Sequence, residues 1–66
     1  MTLRDLRHKA GLTQRQVSEK INVTYQAYAH YENNRRVMPL DVFLKLKNIF
    51  DVDYEELIAA ISQKVR

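Results

Sequence analysis

The sequence predicts an all-α fold of five short helices, and three observations carry that prediction. Apolar residues recur at the three- and four-residue spacing of a helix face, and no stretch alternates apolar and polar positions as a half-buried strand does. Helix starts are written out as a Thr or Asp followed three positions later by Asp, Gln or Glu, at Thr2 and Asp5, Thr13 and Gln16, and Asp53 and Glu56. Finally, 66 residues without a cysteine make one small domain, 1–66, whose core must come from helix packing rather than from disulfides or thiolate-bound zinc.

The first helix follows from Leu3, Leu6, Arg7 and Ala10, which share one face, with Gly11, the only glycine, ending it. An arginine on that apolar stripe needs a carboxylate partner to offset its lost hydration, and Glu32 is the candidate. The second helix runs from Gln14 to Ile21, with Val17 and Ile21 one turn apart on its inner side and the small Ser18 beside them, where another helix can cross closely. Asn22 stands where a left-handed residue is needed to turn the chain. Two short helices joined by a tight turn are a helix-turn-helix unit.

The third helix lies within VTYQAYAHYENNRR, residues 23–36. Thr24 can cap its start, and Ala27, Tyr28 and Tyr31 fall on one side while Tyr25, Gln26, Ala29 and His30 fall on the other. The Asn33-Asn34 pair suits a helix stop, and Arg35 and Arg36 follow. A short helix with a small, aromatic and amide-bearing outer face, followed by amides and guanidinium groups, is what reading a nucleic-acid groove requires. Taken singly, each of these side chains is equally well a solvated surface group.

Pro39 can open a fourth helix, to which Leu40, Phe43, Leu44, Leu46, Ile49 and Phe50 give more apolar surface than one face needs, the pattern of a central strut. An acidic link, Asp51 to Glu56, leads into a fifth helix extending to about Lys64, with Leu57 and Ile58 placed to close the core. Ile61 and Val65 lie further along and are expected to stay uncovered in a monomer.

Charge narrows the function classes. Residues 1–36 carry seven Lys and Arg against three Asp and Glu, whereas residues 37–66 carry four against five, so one half is basic. That asymmetry favours a polyanion on one face, although a solvated surface gives similar counts. The longest apolar run, Leu57 to Ile61, is far too short to span a bilayer, and no leader pattern is present, so the chain reads as cytoplasmic. His8 and His30 lack cysteines and helical i, i+4 spacing, so no metal or other cofactor is expected. No Ser, His and carboxylate set points to a hydrolase, and a small-molecule substrate is not expected.

At this point the chain resembles the five-helix DNA-binding domains of the Cro and phage-repressor type, the lambda-repressor-like or XRE family. The resemblance runs from Leu3 to Leu57 and is carried by LRHKAGLTQRQVSEKINV (residues 6–23), by Tyr31-Glu32-Asn33 and by DVDYEEL (residues 51–57). It implies that Thr24, Tyr25, Gln26 and His30 reach base edges, and that Gln14, Asn33, Arg35 and Arg36 contact phosphates. It also implies the structural ion pair between Arg7 and Glu32. The family usually has glycine where this chain has Asn22 and Asn34, and a smaller polar residue where it has Tyr25, so sequence preference does not carry over from relatives.

The expected function is that of a non-enzymatic transcriptional regulator, a repressor, inserting the third helix into the major groove of double-stranded DNA. Two copies would bind a palindromic operator as a homodimer, with Ile61 and Val65 as candidates for the contact. The alternative is a protein-interaction module of the same fold, an antitoxin or anti-repressor using its apolar final helix.

Overall fold

Helix starts and stops set the architecture before any packing is considered. A computed structural model describes residues 1–62, which form α1 (Leu3–Lys9), α2 (Gln14–Lys20), α3 (Tyr25–Glu32), α4 (Leu40–Phe50) and α5 (Tyr54–Ser62), with no strand among the described residues. Val65 and the expected last turn to Lys64 lie outside the described residues. Each of the three sequence capping pairs closes in both directions. The Thr2 hydroxyl accepts from the Asp5 amide at 3.1 Å while the Asp5 carboxylate accepts from the Thr2 amide at 2.9 Å. Asp53 and Glu56 do the same at the start of α5, at 2.8 and 3.3 Å.

A residue with positive φ follows within two positions of the end of each of the first four helices: Gly11 at 75°, Asn22 at 60°, Asn34 at 59° and Asp51 at 54°. After α1, α2 and α3 the next two backbone amides fold back onto the last turn, as in Leu12 to Arg7 at 3.1 Å, Val23 to Ser18 at 3.0 Å and Arg35 to His30 at 2.8 Å. These are Schellman caps, which satisfy carbonyls that would otherwise lack partners and aim the chain sharply into the next element. The short connections follow from this repeated chemistry.

The core takes residues from every helix: Leu3 and Leu6, Val17 and Ile21, Tyr28 and Tyr31, Val42, Leu46 and Phe50, and Leu57 and Ala60. Tyr28, Ile21, Leu46, Leu57 and Val17 are fully enclosed. Truncating such a side chain leaves a hole the neighbours fill only partly, so Leu46→Ala should cost about 2–5 kcal/mol. Lys45 donates to the Ile21 carbonyl at 3.3 Å, placing a cation of α4 on the negative end of α2.

Several expectations shift by one face of a helix. Ala10 is exposed because α1 ends at Lys9 and Ala10 serves as its C-cap. Pro39 is the N-cap of α4 rather than its first residue. Within α4 the buried stripe is Val42, Leu46 and Phe50, at i, i+4 and i+8, so Leu40 and Leu44 turn outward at 70% and 42% exposure. In α5 the stripe is Leu57 and Ala60, which leaves Ile58 exposed, whereas Ile61, expected uncovered, is half-buried against the core. Tyr54 stacks on Phe43 with ring centroids 6.0 Å apart, joining α5 to α4.

Candidate nucleic-acid interface

The α2–turn–α3 unit is fixed at both ends by its own side chains. Thr13 and Gln16 cap α2 reciprocally at 3.1 and 2.9 Å, and the Thr24 hydroxyl accepts from the Ala27 amide at 3.1 Å to start α3. Between them Asn22 supplies the left-handed turn, and buried Ser18 donates to the Arg15 carbonyl at 2.7 Å. A serine there keeps the surface small where the helices meet.

α3 is anchored along one side only. Tyr28, Tyr31 and Glu32 are buried, Ala27 is half-buried, Tyr25 and Gln26 are exposed, and Ala29 and His30 are half-buried. Thr24, at the start of the same side, is exposed. The outer surface thus carries a hydroxyl, an aromatic ring, an amide and an imidazole on a helix of 8 residues. At about 1.5 Å rise per residue this helix is close in length to the width of a B-DNA major groove.

The inner end of α3 is tied to α1 and α2 through one carboxylate. Arg7 donates from Nε to Glu32 Oε2 at 2.7 Å and from Nη2 to Oε1 at 3.3 Å, and its Nη1 donates to the Leu12 carbonyl at 3.0 Å. Gln14 Nε2 donates to Glu32 Oε1 at 2.7 Å, while Arg4, largely exposed, lies 3.9 Å from the same oxygen. Burial acts to raise the Glu32 pKa, but the hydrogen bonds from Arg7 and then Gln14 outweigh it and hold the carboxyl below its ordinary value. The same hydrogen bond to Glu32 raises Arg7. Tyr28 is pushed up, first by burial and then by the Glu32 charge. Both charges lie near enough to act on its hydroxyl, yet no described protein group meets hydrogen-bonding geometry with it.

Gln14 is therefore partly committed inside the protein. One of its two amide N–H groups is spent on Glu32, leaving the second available to an outside acceptor. Asn33, Arg35 and Arg36 are exposed directly after α3, where Asn33 is the C-cap, and neither arginine forms an ion pair among the described residues.

Sequence reasoning missed Arg15. Its guanidinium lies over the ring of Tyr25, 5.2 Å from the centroid, so the second residue of α2 and the first of α3 form one exposed unit. Both residue types are visible in the sequence, but their contact depends on the crossing of α2 and α3. Among the described residues no group of three or more His, Cys, Asp or Glu could hold a metal ion, and no helix is long and apolar enough to cross a membrane.

A model of the helix-turn-helix family matches residues 3–57. The chain is 36% identical over 56 residues to the HTH-type transcriptional regulator ImmR of Bacillus subtilis (strain 168), covering 85% of this chain and 44% of that protein. It is 34% identical over 56 residues to the uncharacterized HTH-type transcriptional regulator YobD of the same organism, covering 85% and 50%. The chain thus spans about half the length of these relatives. No solved structure matches it.

Proposed function

The chain belongs to the helix-turn-helix family of Cro and phage-repressor type, a family of DNA-binding domains in transcription regulators, and from that premise we propose that it binds specific duplex sequences through α3. The reading is carried by one observation: α3 buries Tyr28, Tyr31 and Glu32 while exposing Tyr25 and Gln26 and half-exposing His30. In the major groove, Gln26 can donate to N7 and accept from N6 of adenine at once, and Tyr25 can lie against a thymine methyl. Thr24 and His30 reach the flanking base edges. The second Gln14 amide, Asn33, Arg35 and Arg36 donate to phosphates, which fixes register without specifying sequence.

On this reading the protein acts in the cytoplasm as a repressor, covering a promoter without any catalytic step. One such helix reads few base pairs, so two copies bind a palindrome with half-sites about 10–10.5 bp apart. Ile61 and Val65 are the sequence candidates for their contact, of which Val65 lies outside the described residues. Ile58 and Leu40, at 51% and 70% exposure, give α5 and the start of α4 the apolar surface a second copy would cover. Selection of bound duplexes from a random pool tests the whole reading. A palindromic motif supports it, and failure to enrich any sequence overturns it.

A second reading is favoured by the groove of about 730 Å³ beside α5, walled by Tyr31, Val37, Met38, Leu40, Phe43 and Ile58 with Arg35 and Arg36 at its edge. It would serve a protein-interaction module, an antitoxin or anti-repressor. Under it, the double variant Gln26→Ala with Arg35→Ala keeps full activity in the cell, whereas under the first reading that activity is lost.

A further inference from the structure

Arg15 and Tyr25 contribute little to the fold, yet they are held against each other. Arg15 is exposed and Tyr25 is 42% exposed. Among the described residues the Arg15 side chain makes no ion pair and no hydrogen bond, so all its donors are unspent. Its guanidinium lies over the Tyr25 ring, 5.2 Å from the centroid. A cation over an aromatic face is held by its charge rather than by its N–H groups, so the donors of Arg15 stay available to an outside acceptor. The two residues also wall, with Thr13, Gln14 and Arg7, an open notch at the start of α2.

A tyrosine at the first position of a helix, half in solvent, would otherwise sample several orientations and spread its hydroxyl over several places on a bound duplex. The cation over its face removes much of that freedom before binding, and a contact that is already oriented loses less entropy when it forms. We propose that Arg15 is a specificity-determining positioning residue. It fixes the Tyr25 ring so that its edge and hydroxyl meet one base pair, while its own free N–H groups donate to the adjacent phosphate. This rests on α3 being the helix that reads DNA.

The test uses the 66-residue chain and duplexes varied at the base pair whose preference Tyr25→Ala weakens most. Arg15→Lys keeps the charge and can keep it over the ring, as Lys47 does over Tyr54 at 4.7 Å. It should keep the salt dependence of binding and most of the preference at that base pair. Arg15→Ala should lose about two- to five-fold of that preference, with a salt slope shallower by about 0.9. The double variant Arg15→Ala with Tyr25→Ala should lose no more preference there than Tyr25→Ala alone. Full preference in Arg15→Ala, or losses that multiply in the double variant, overturns the proposal.

A DNA-free measurement separates this outcome from failure of the DNA reading. The Arg15 Hδ resonances in the free protein should be shifted upfield by the Tyr25 ring current and return to ordinary positions in Tyr25→Leu. If they are not shifted, the pair itself is absent and the proposal falls. If they are shifted but the wild-type chain prefers no duplex, it is the assignment of α3 to DNA that fails, and the specificity role with it.

Discussion

Arg7 and Glu32, 25 residues apart in the chain, meet through two hydrogen bonds of 2.7 and 3.3 Å in a site that buries both side chains. The pair joins the inner face of α1 to the last residue of α3, so the helix with the exposed amide and aromatic surface is held from behind by a charge contact. Removing either partner strands the other charge without water. Arg7→Ala should therefore destabilise the fold by about 3–5 kcal/mol, a large part of what a domain of this size has. Urea denaturation at neutral pH measures it, and a loss below about 1 kcal/mol would show that the pair is solvated in practice.

The pH dependence of that contact has a definite sign. Because the folded protein holds Glu32 below its ordinary pKa of about 4.5, the unfolded chain takes up the proton first as the solution is acidified. The stabilisation is complete above about pH 5 and drains away as pH falls through and below the ordinary value; Arg7 stays charged throughout. Glu32→Gln cannot lose a charge it lacks. The stability gap between wild type and Glu32→Gln should narrow from pH 7 to pH 3, and a constant gap would refute the assignment.

Asn22 tests the turn. At a φ of 60° on an exposed residue, a side chain with a Cβ but no local hydrogen-bonding group is strained. Asn22→Ala should cost about 1–2 kcal/mol, whereas Asn22→Gly should hold or raise the melting temperature. Equal melting temperatures for the two variants would mean that the turn relaxes at little cost.

Helix ends are legible in this sequence because their chemistry is local. Gly11, Asn22 and Asn34 mark left-handed stops by residue type, and the three capping pairs mark starts by spacing. Asp51 does the same work at 54° but is hidden, since an aspartate inside an acidic link reads equally well as a cap or a solvated charge. Which face of α4 is inward is not legible either. Apolar residues surround that helix, and only the positions of its neighbours select Val42 over Leu40 and Leu44. The outer face of α3 is legible from its period. The engagement of Gln14 with Glu32 and of Arg15 with Tyr25 is not, because each depends on how two helices cross.

Gln26 and the two arginines after α3 should respond differently to the same experiment. Gln26 is exposed, so Gln26→Ala should leave the melting temperature unchanged and cost about 1–3 kcal/mol of discrimination at a single base pair. Arg35→Ala or Arg36→Ala should weaken binding to all duplexes alike and each reduce the salt slope by about 0.9. Titrations against the selected site and its single-base variants at several salt concentrations separate the two. A uniform loss from Gln26→Ala would remove it from base reading.

Ile58 offers a test of pairing that spares the monomer. Its side chain is 51% exposed on the side of α5 away from the Leu57 and Ala60 stripe, at the wall of the apolar groove that Leu40 also lines. A carboxylate there stays hydrated in a monomer and costs the fold little, but in a dimer that covers this surface it would be buried without a partner. Ile58→Glu should keep the wild-type melting curve measured at low concentration, shift sedimentation toward the monomer, and weaken binding to a full palindrome far more than to a half-site. Wild-type sedimentation in this variant would mean that two copies meet elsewhere.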